Sequence, residues 1–187
     1  MESLINSFIE EIKKGKIPIY NEFGIQFELA IFLRKNKNLK NFKIELERPI
    51  DYFGITKSKD CPKKEMDLVV YNDTSGEKHA IEIKFSKNGQ VPVQMFKFCE
   101  DICFLEHLGR NGFSSCYSLV IVDRDDFYKK KKKTEGLYSF FRNNQPIEGE
   151  IQCSTGPQKD KVLKIEKTYK PLWKELIDGN FYYLLRV

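Results

Sequence analysis

The stretch EMDLVVYNDTSGEKHAIEIKF, residues 65–85, joins two apolar, β-rich runs through the turn formers NDTSG. Such runs flanking Asn, Asp, Ser and Gly read as an antiparallel hairpin, with strands over residues 66–72 and 78–86. A loop at Asp73–Gly76 sets Asn72 opposite Glu77, and the same register sets Asp67 opposite Glu82. Opposed residues share one face of a sheet with Cβ atoms about 4.5–5.5 Å apart. Lys84, two residues on, shares that face with Glu82. Facing carboxylates repel, and burial favours protonating one of them. A hard divalent cation such as Mg²⁺ resolves the conflict, because it takes carboxylate oxygens as ligands. Lys84 supplies partial neutralisation and a donor. The plainer reading pairs Lys84 with one acid at a wet sheet edge.

Outward from the hairpin, Leu4, Ile5, Phe8, Ile9 and Ile12 recur at helical spacing and predict an amphipathic helix over residues 2–14. A second helix is expected over residues 22–36 around Phe23, Phe27 and Ile31, followed by a strand in FKIELERPI that Pro49 helps to end. VPVQMFKFCEDICFLEHLGRNG reads as a helix with Pro92 near its start, and CYSLVIVD as a strand covered on both faces. A helix between two strands suggests a crossover. LYSFFRN is expected to be helical, EIQCS and VLKIEK to form a hairpin, and the chain to close with a short helix around Trp173 and the strand FYYLLRV. The fold class is therefore α/β with a mixed sheet.

The 187 residues fit one domain. With 41% hydrophobic and 32% charged residues, the chain reads as soluble and globular. No apolar run approaches the ~20 residues of a membrane span, and the start is an acidic amphipathic segment rather than a signal peptide, so a cytoplasmic protein is expected. The five cysteines, Cys61, Cys99, Cys103, Cys116 and Cys153, are irregularly spaced, which argues for reduced thiols. Cys99 and Cys103 lack a second Cys/His pair and read as core residues; His79 and His107 read as structural or exposed. A net charge of +5 is compatible with a polyanionic partner. The positive charge is densest at Lys129, Lys130, Lys131, Lys132 and Lys133, a solvated loop or a phosphate contact.

Asp67, fourteen intervening residues, then Glu82-Ile83-Lys84 resembles the D-x(n)-E-x-K signature of the PD-(D/E)XK nuclease superfamily, with Met66 where the nominal proline would stand. Members commonly begin the core with a glutamate-bearing helix, and GIQFE supplies Gly24 and Glu28 here; Glu45 and Glu47 compete for that role. The Gln-x-x-x-Tyr element of some branches is represented by Gln94 but ends in Phe98, so the branch stays open and Gln94 is a candidate for contact with site or substrate.

The resemblance covers residues 20–123 and implies a restriction-endonuclease-like sheet flanked by helices, with residues 124–187 as a C-terminal α/β extension. It implies a metal-dependent endonuclease acting on DNA in restriction, defence or repair. Asp67, Glu82, the Ile83 carbonyl and Glu28 would hold Mg²⁺, for which Mn²⁺ could substitute, and Lys84 would orient and activate the attacking water. It allows a homodimer. A noncatalytic nucleic-acid-binding or assembly module on the same fold is the principal alternative, and an enzyme of unrelated chemistry that uses the same carboxylates for a metal is the second. Removing either acid should relieve the like-charge repulsion, so both alanine variants are expected to be at least as stable as the parent without metal.

Overall fold

In the computed structural model, which describes residues 1–57, 63–87, 90–130, 132–153, 155–156, 159 and 161–187, the central hairpin closes around Asn72. Its side-chain oxygen accepts from Thr74 N (2.8 Å) and Ser75 N (3.2 Å), while its own amide donates to Glu77 O (2.9 Å). Gly76 completes the turn at φ 72°, a conformation that costs glycine nothing. The resulting strands are β2 (Glu65–Tyr71) and β3 (Lys78–Ser86), and Leu68 faces Ile81, Val69 faces Ala80, Val70 faces His79 and Tyr71 faces Lys78. This is the register expected from the sequence.

Helices α1 (Glu2–Lys13) and α2 (Glu22–Arg34) precede β1 (Lys43–Pro49), which pairs antiparallel with β2. After β3, α3 (Val91–Arg110) crosses over to β4 (Ser115–Val122), which lies parallel to β3 and is buried along its whole length. Later elements are α4 (Leu137–Arg142), β5 (Ile147–Gln152), β6 (Val162–Tyr169), β7 (Lys174–Glu175) and β8 (Phe181–Arg186). The main sheet is mixed and six-stranded, in the order β1-β2-β3-β4-β8-β7. The C-terminal strand thus completes the central sheet, while β5 and β6 form a separate ribbon.

Period-two alternation divides the core between the two faces. Leu68, Val70, Ile81, Ile83 and Phe85 pack with α1 and α2; Val69, Tyr71, Ala80 and Val120 pack with α3. Helix α3 is buried over much of its circumference because the ribbon covers its far side. There the buried Glu106 carboxylate accepts from Glu166 N (2.9 Å), Lys167 N (2.8 Å) and the Tyr169 hydroxyl (3.0 Å), replacing strand partners that β6 lacks.

The expected helix around Trp173 is absent. Pro171 removes an amide and biases Lys170 away from helical geometry, while the Trp173 indole donates to Phe141 O (2.9 Å) and packs edge-on against Tyr183 at 4.9 Å. Lys174 and Glu175 then pair with Tyr182 and Phe181 as an edge strand. Cys99, Cys103, Cys116 and Cys153 are buried; Cys61 lies outside the described residues. His79 sits between Ser115 Oγ (2.7 Å) and Glu77 (2.9 Å), and His107 Nε2 meets Thr56 O at 3.0 Å. Among the described residues no helix is long and apolar enough to cross a membrane.

Candidate functional site

The β2–β3 ladder stops at Leu68 and Ile81, and the next residue on each strand is an acid. Beyond that point side chains take over from the backbone. Asp67 Oδ2 accepts from Ile83 N (2.8 Å), and Glu82 Oε1 accepts from Asp67 N (3.3 Å). The two carboxylates therefore replace the missing ladder partners and hold the strands apart, leaving a polar gap in an otherwise apolar sheet. Asp67 is 6% exposed and Glu82 1%.

Parity turns Asp67, Glu82 and Lys84 toward α3, the face of Val69 and Ala80. Helix α3 answers with Asp101, 3% exposed. Two lysines stand among these acids. Lys63 Nζ, from the segment entering β2, contacts Glu82 Oε2, Asp101 Oδ1 (3.0 Å) and Asp67 Oδ1 (3.4 Å). Lys84 Nζ contacts Glu22 Oε1 (3.0 Å), the Ile83 carbonyl (3.1 Å) and Asp67 Oδ2 (3.4 Å), with Asp101 Oδ2 at 3.8 Å.

These environments separate the facing acids. Burial first, and then the charge of Asp67, push Glu82 well above the usual carboxyl range. Burial opposes ionisation of Asp67 too, but Lys63, Lys84 and the Ile83 amide outweigh it and hold its carboxyl below the usual value. Desolvation works against both ammonium groups, yet the surrounding carboxylates raise Lys63 and Lys84 above the ordinary lysine value. Both stay charged at neutral pH.

The acid that α2 contributes is Glu22, whose Oε2 also accepts from Phe85 N (3.2 Å). Helix α2 packs on the opposite sheet face, so only its first turn reaches round to Lys84. Glu28, six residues on, lies about 120° around the helix from Glu22, and none of the contacts that build the cluster is made by it among the described residues. On β1, Glu45 is paired with Arg48 at 2.5 Å. Glu47 interrupts the β1–β2 ladder between the pairs Leu46–Leu68 and Arg48–Met66 with a left-handed backbone, φ 50°. Burial and the charge of Asp67 raise its pKa, so Glu47 is the β1 acid that senses the cluster. Gln94 Oε1 accepts from Ser86 Oγ (3.4 Å) and lines an open cleft of about 350 Å³ with Asn21, Glu22, Phe85, Ser86 and Lys87, beside Lys84.

Sequence reasoning did not identify Lys63, Asp101 or Glu22. Asp101 left one signal, an acid inside the apolar run FCEDICF; Lys63 and Glu22 left none, because nothing local shows that they reach the hairpin. Among the described residues no group of three or more His, Cys, Asp or Glu stands arranged to hold a metal ion, since the acids close around ammonium groups instead. The donor set is nevertheless hard oxygen of the kind Mg²⁺ takes, and the buried Asp101 Oδ2 has no hydrogen-bond partner.

Lys129, Lys130, Lys132 and Lys133 are exposed in the segment after β4, with Lys129 Nζ 3.3 Å from Asp125; Lys131 lies outside the described residues. Because β3 and β4 are parallel and Ser86 faces Val122, this segment leaves the sheet at the same end as β3, the end nearer Lys84. No family model matches the chain, and neither a curated protein nor a solved structure does.

Proposed function

We propose that the protein is a metal-dependent nuclease that hydrolyses DNA phosphodiester bonds, an endonuclease of the PD-(D/E)XK kind working in restriction, defence or repair. One observation carries this reading: Asp67, Glu82 and Lys84 meet on one face of an opened hairpin, with Lys84 held 3.4 Å from Asp67. The hairpin follows an acid-bearing helix and precedes a helix and a strand, the setting the resemblance calls for.

When bound, Mg²⁺ or Mn²⁺ would polarise the phosphoryl oxygen and stabilise the leaving oxygen. Asp67 and Glu82 would hold the ion with the Ile83 carbonyl. Asp67 stays ionised, and Glu82 gives up any proton as a cation arrives. Lys84 places a permanent positive charge beside the reacting phosphate, where a preorganised donor acts without reorganisation cost. Glu22 and the Ile83 carbonyl fix its ammonium. The cleft lined by Gln94 and Lys87 gives the substrate backbone a way in.

The closure of the acids around Lys63 and Lys84 favours a second reading, a noncatalytic nucleic-acid-binding module. Incubation with duplex, branched and single-stranded DNA, and with RNA, in Mn²⁺ or in chelator separates the two. Cleavage that requires Mn²⁺ supports the nuclease. Binding without cleavage in any metal supports the module and removes the nuclease.

The lysine segment gives a further expected result. Changing Lys130, Lys132 and Lys133 together to Gln should weaken DNA binding for all sequences alike. The slope of log K against log salt should fall by about 0.9 for each phosphate that is no longer neutralised. An unchanged slope in a salt titration would mean that this segment is only solvated.

A further inference from the structure

We infer that Asp101 is the third carboxylate of the cation site, and that the Lys63 ammonium occupies the ion's position until a divalent cation displaces it. This rests on the metal-dependent reading of Asp67 and Glu82 but concerns binding rather than cleavage.

The geometry is that of a cation held by oxygens. Lys63 Nζ touches one oxygen from each of three buried acids that belong to three different elements: Asp67 of β2, Glu82 of β3 and Asp101 of α3. Three carboxylates converging on one point destabilise a fold unless a positive charge stands among them. Lys63 is that charge, and with Glu82 ionised it balances only part of the site. Together with Lys84 it supplies two positive charges against the three acids, with the partly exposed Glu22 carboxylate besides. A divalent ion in place of the ammonium, with Lys84 retained, would match the three buried acids charge for charge.

Asp101 carries the second, independent sign. Its Oδ2 is buried without a hydrogen-bond partner, and the nearest cation, Lys84 Nζ, is 3.8 Å away. A carboxyl oxygen kept dry and without a hydrogen bond on the cluster side of α3 has room for a ligand. Lys63 has a route out of the site. Its side chain is 27% exposed and lies near the Phe104 ring, 5.5 Å from the centroid. The nearby backbone bond, Ile50 N to Lys64 O at 2.8 Å, can persist while the lysine side chain rotates into solvent.

Calorimetric titration of Mn²⁺ into the protein, without nucleic acid, tests the exchange. Lys63→Gln should bind Mn²⁺ roughly tenfold more tightly than the parent, the low end of the coupling between close charge pairs. Asp101→Asn should weaken binding in either background. Melting curves provide the second readout. Without metal Lys63→Gln should melt below the parent, because three acids lose their counter-ion, and Mn²⁺ should raise its melting temperature more than the parent's. Should Lys63→Gln fail to fold without metal, Mn²⁺-induced folding supports the exchange, and failure to fold in Mn²⁺ overturns it. Mn²⁺ affinity in a folded Lys63→Gln no greater than the parent's, or unaltered by Asp101→Asn, also overturns it. Since no nucleic acid is present, the exchange can stand where cleavage is never seen, and it can fail where cleavage is robust.

Discussion

Lys84→Ala is expected to lose about 10²–10³-fold in cleavage rate at saturating Mn²⁺, the cost of removing one preorganised donor. Its Mn²⁺ affinity should not fall, because Lys84 is a neighbour of the acids rather than a ligand. Asp67→Ala and Glu82→Ala should instead lose activity through the metal. Removing a partner of a metal ligand already costs 10–100-fold in affinity or activity, so losing a ligand should cost more than about 10²-fold. Excess Mn²⁺ should recover part of that loss, whereas it should recover none of the loss in Lys84→Ala. The contrast follows from the contacts: Lys84 is held by Glu22 Oε1 at 3.0 Å, a carboxylate outside the ion's proposed ligands. Single-turnover cleavage across a Mn²⁺ series measures both effects. Wild-type rates in purified Asp67→Ala and Glu82→Ala would place the chemistry elsewhere.

What the sequence disclosed follows the range of the forces involved. The hairpin was legible because its turn residues and alternating apolar positions act over a few neighbours, and they set a register that brings Asp67 and Glu82 together. The helix α3 and the doubly covered strand β4 were legible for the same reason, as long periodic or continuous apolar runs. The remainder of the site depends on contacts distant in sequence. Lys63 meets Asp101 across 38 residues and Lys84 meets Glu22 across 62. No local pattern distinguishes these acids from their neighbours Glu100 and Glu28. Glu100 pairs outward with Lys161 at 2.5 Å, while the adjacent Asp101 turns inward. Helix phase alone decides between them, and it depends on how α3 lies against the sheet. The helix expected around Trp173 failed in a related way. Its aromatic and apolar residues are spaced as for a helix, but they serve as anchors against Phe141 and Tyr183.

The facing acids should contribute to stability with opposite signs, although the like-charge argument alone treats them equally. Asp67 has a folded pKa below its ordinary value of 3.8. Its ionised form therefore stabilises the fold above that pH, and the contribution disappears as pH falls through the folded pKa. Glu82 has a folded pKa raised well above 4.5. Its contribution is complete below 4.5 and is lost as pH rises through the folded value, so toward high pH without metal Glu82 weighs against the fold. Asp67→Asn should thus be destabilised at pH 7 by about 2 kcal/mol, the scale for weakening a buried charged acceptor of the Ile83 amide. For a chain of this size that is roughly 4–8 °C in melting temperature. The deficit should shrink below pH 3.8. Glu82→Gln should melt at or above the parent at pH 7 and lose that advantage toward pH 4.5. Saturating Mn²⁺ should reverse the order at neutral pH by stabilising the parent, which keeps both ligands, more than Glu82→Gln. Melting curves from pH 3 to 8, with and without Mn²⁺, test the assignment. Equal losses in the two variants at pH 7 would mean that Glu82 is a structural ion-pair partner of Lys63 rather than a carboxylate kept in reserve for a cation.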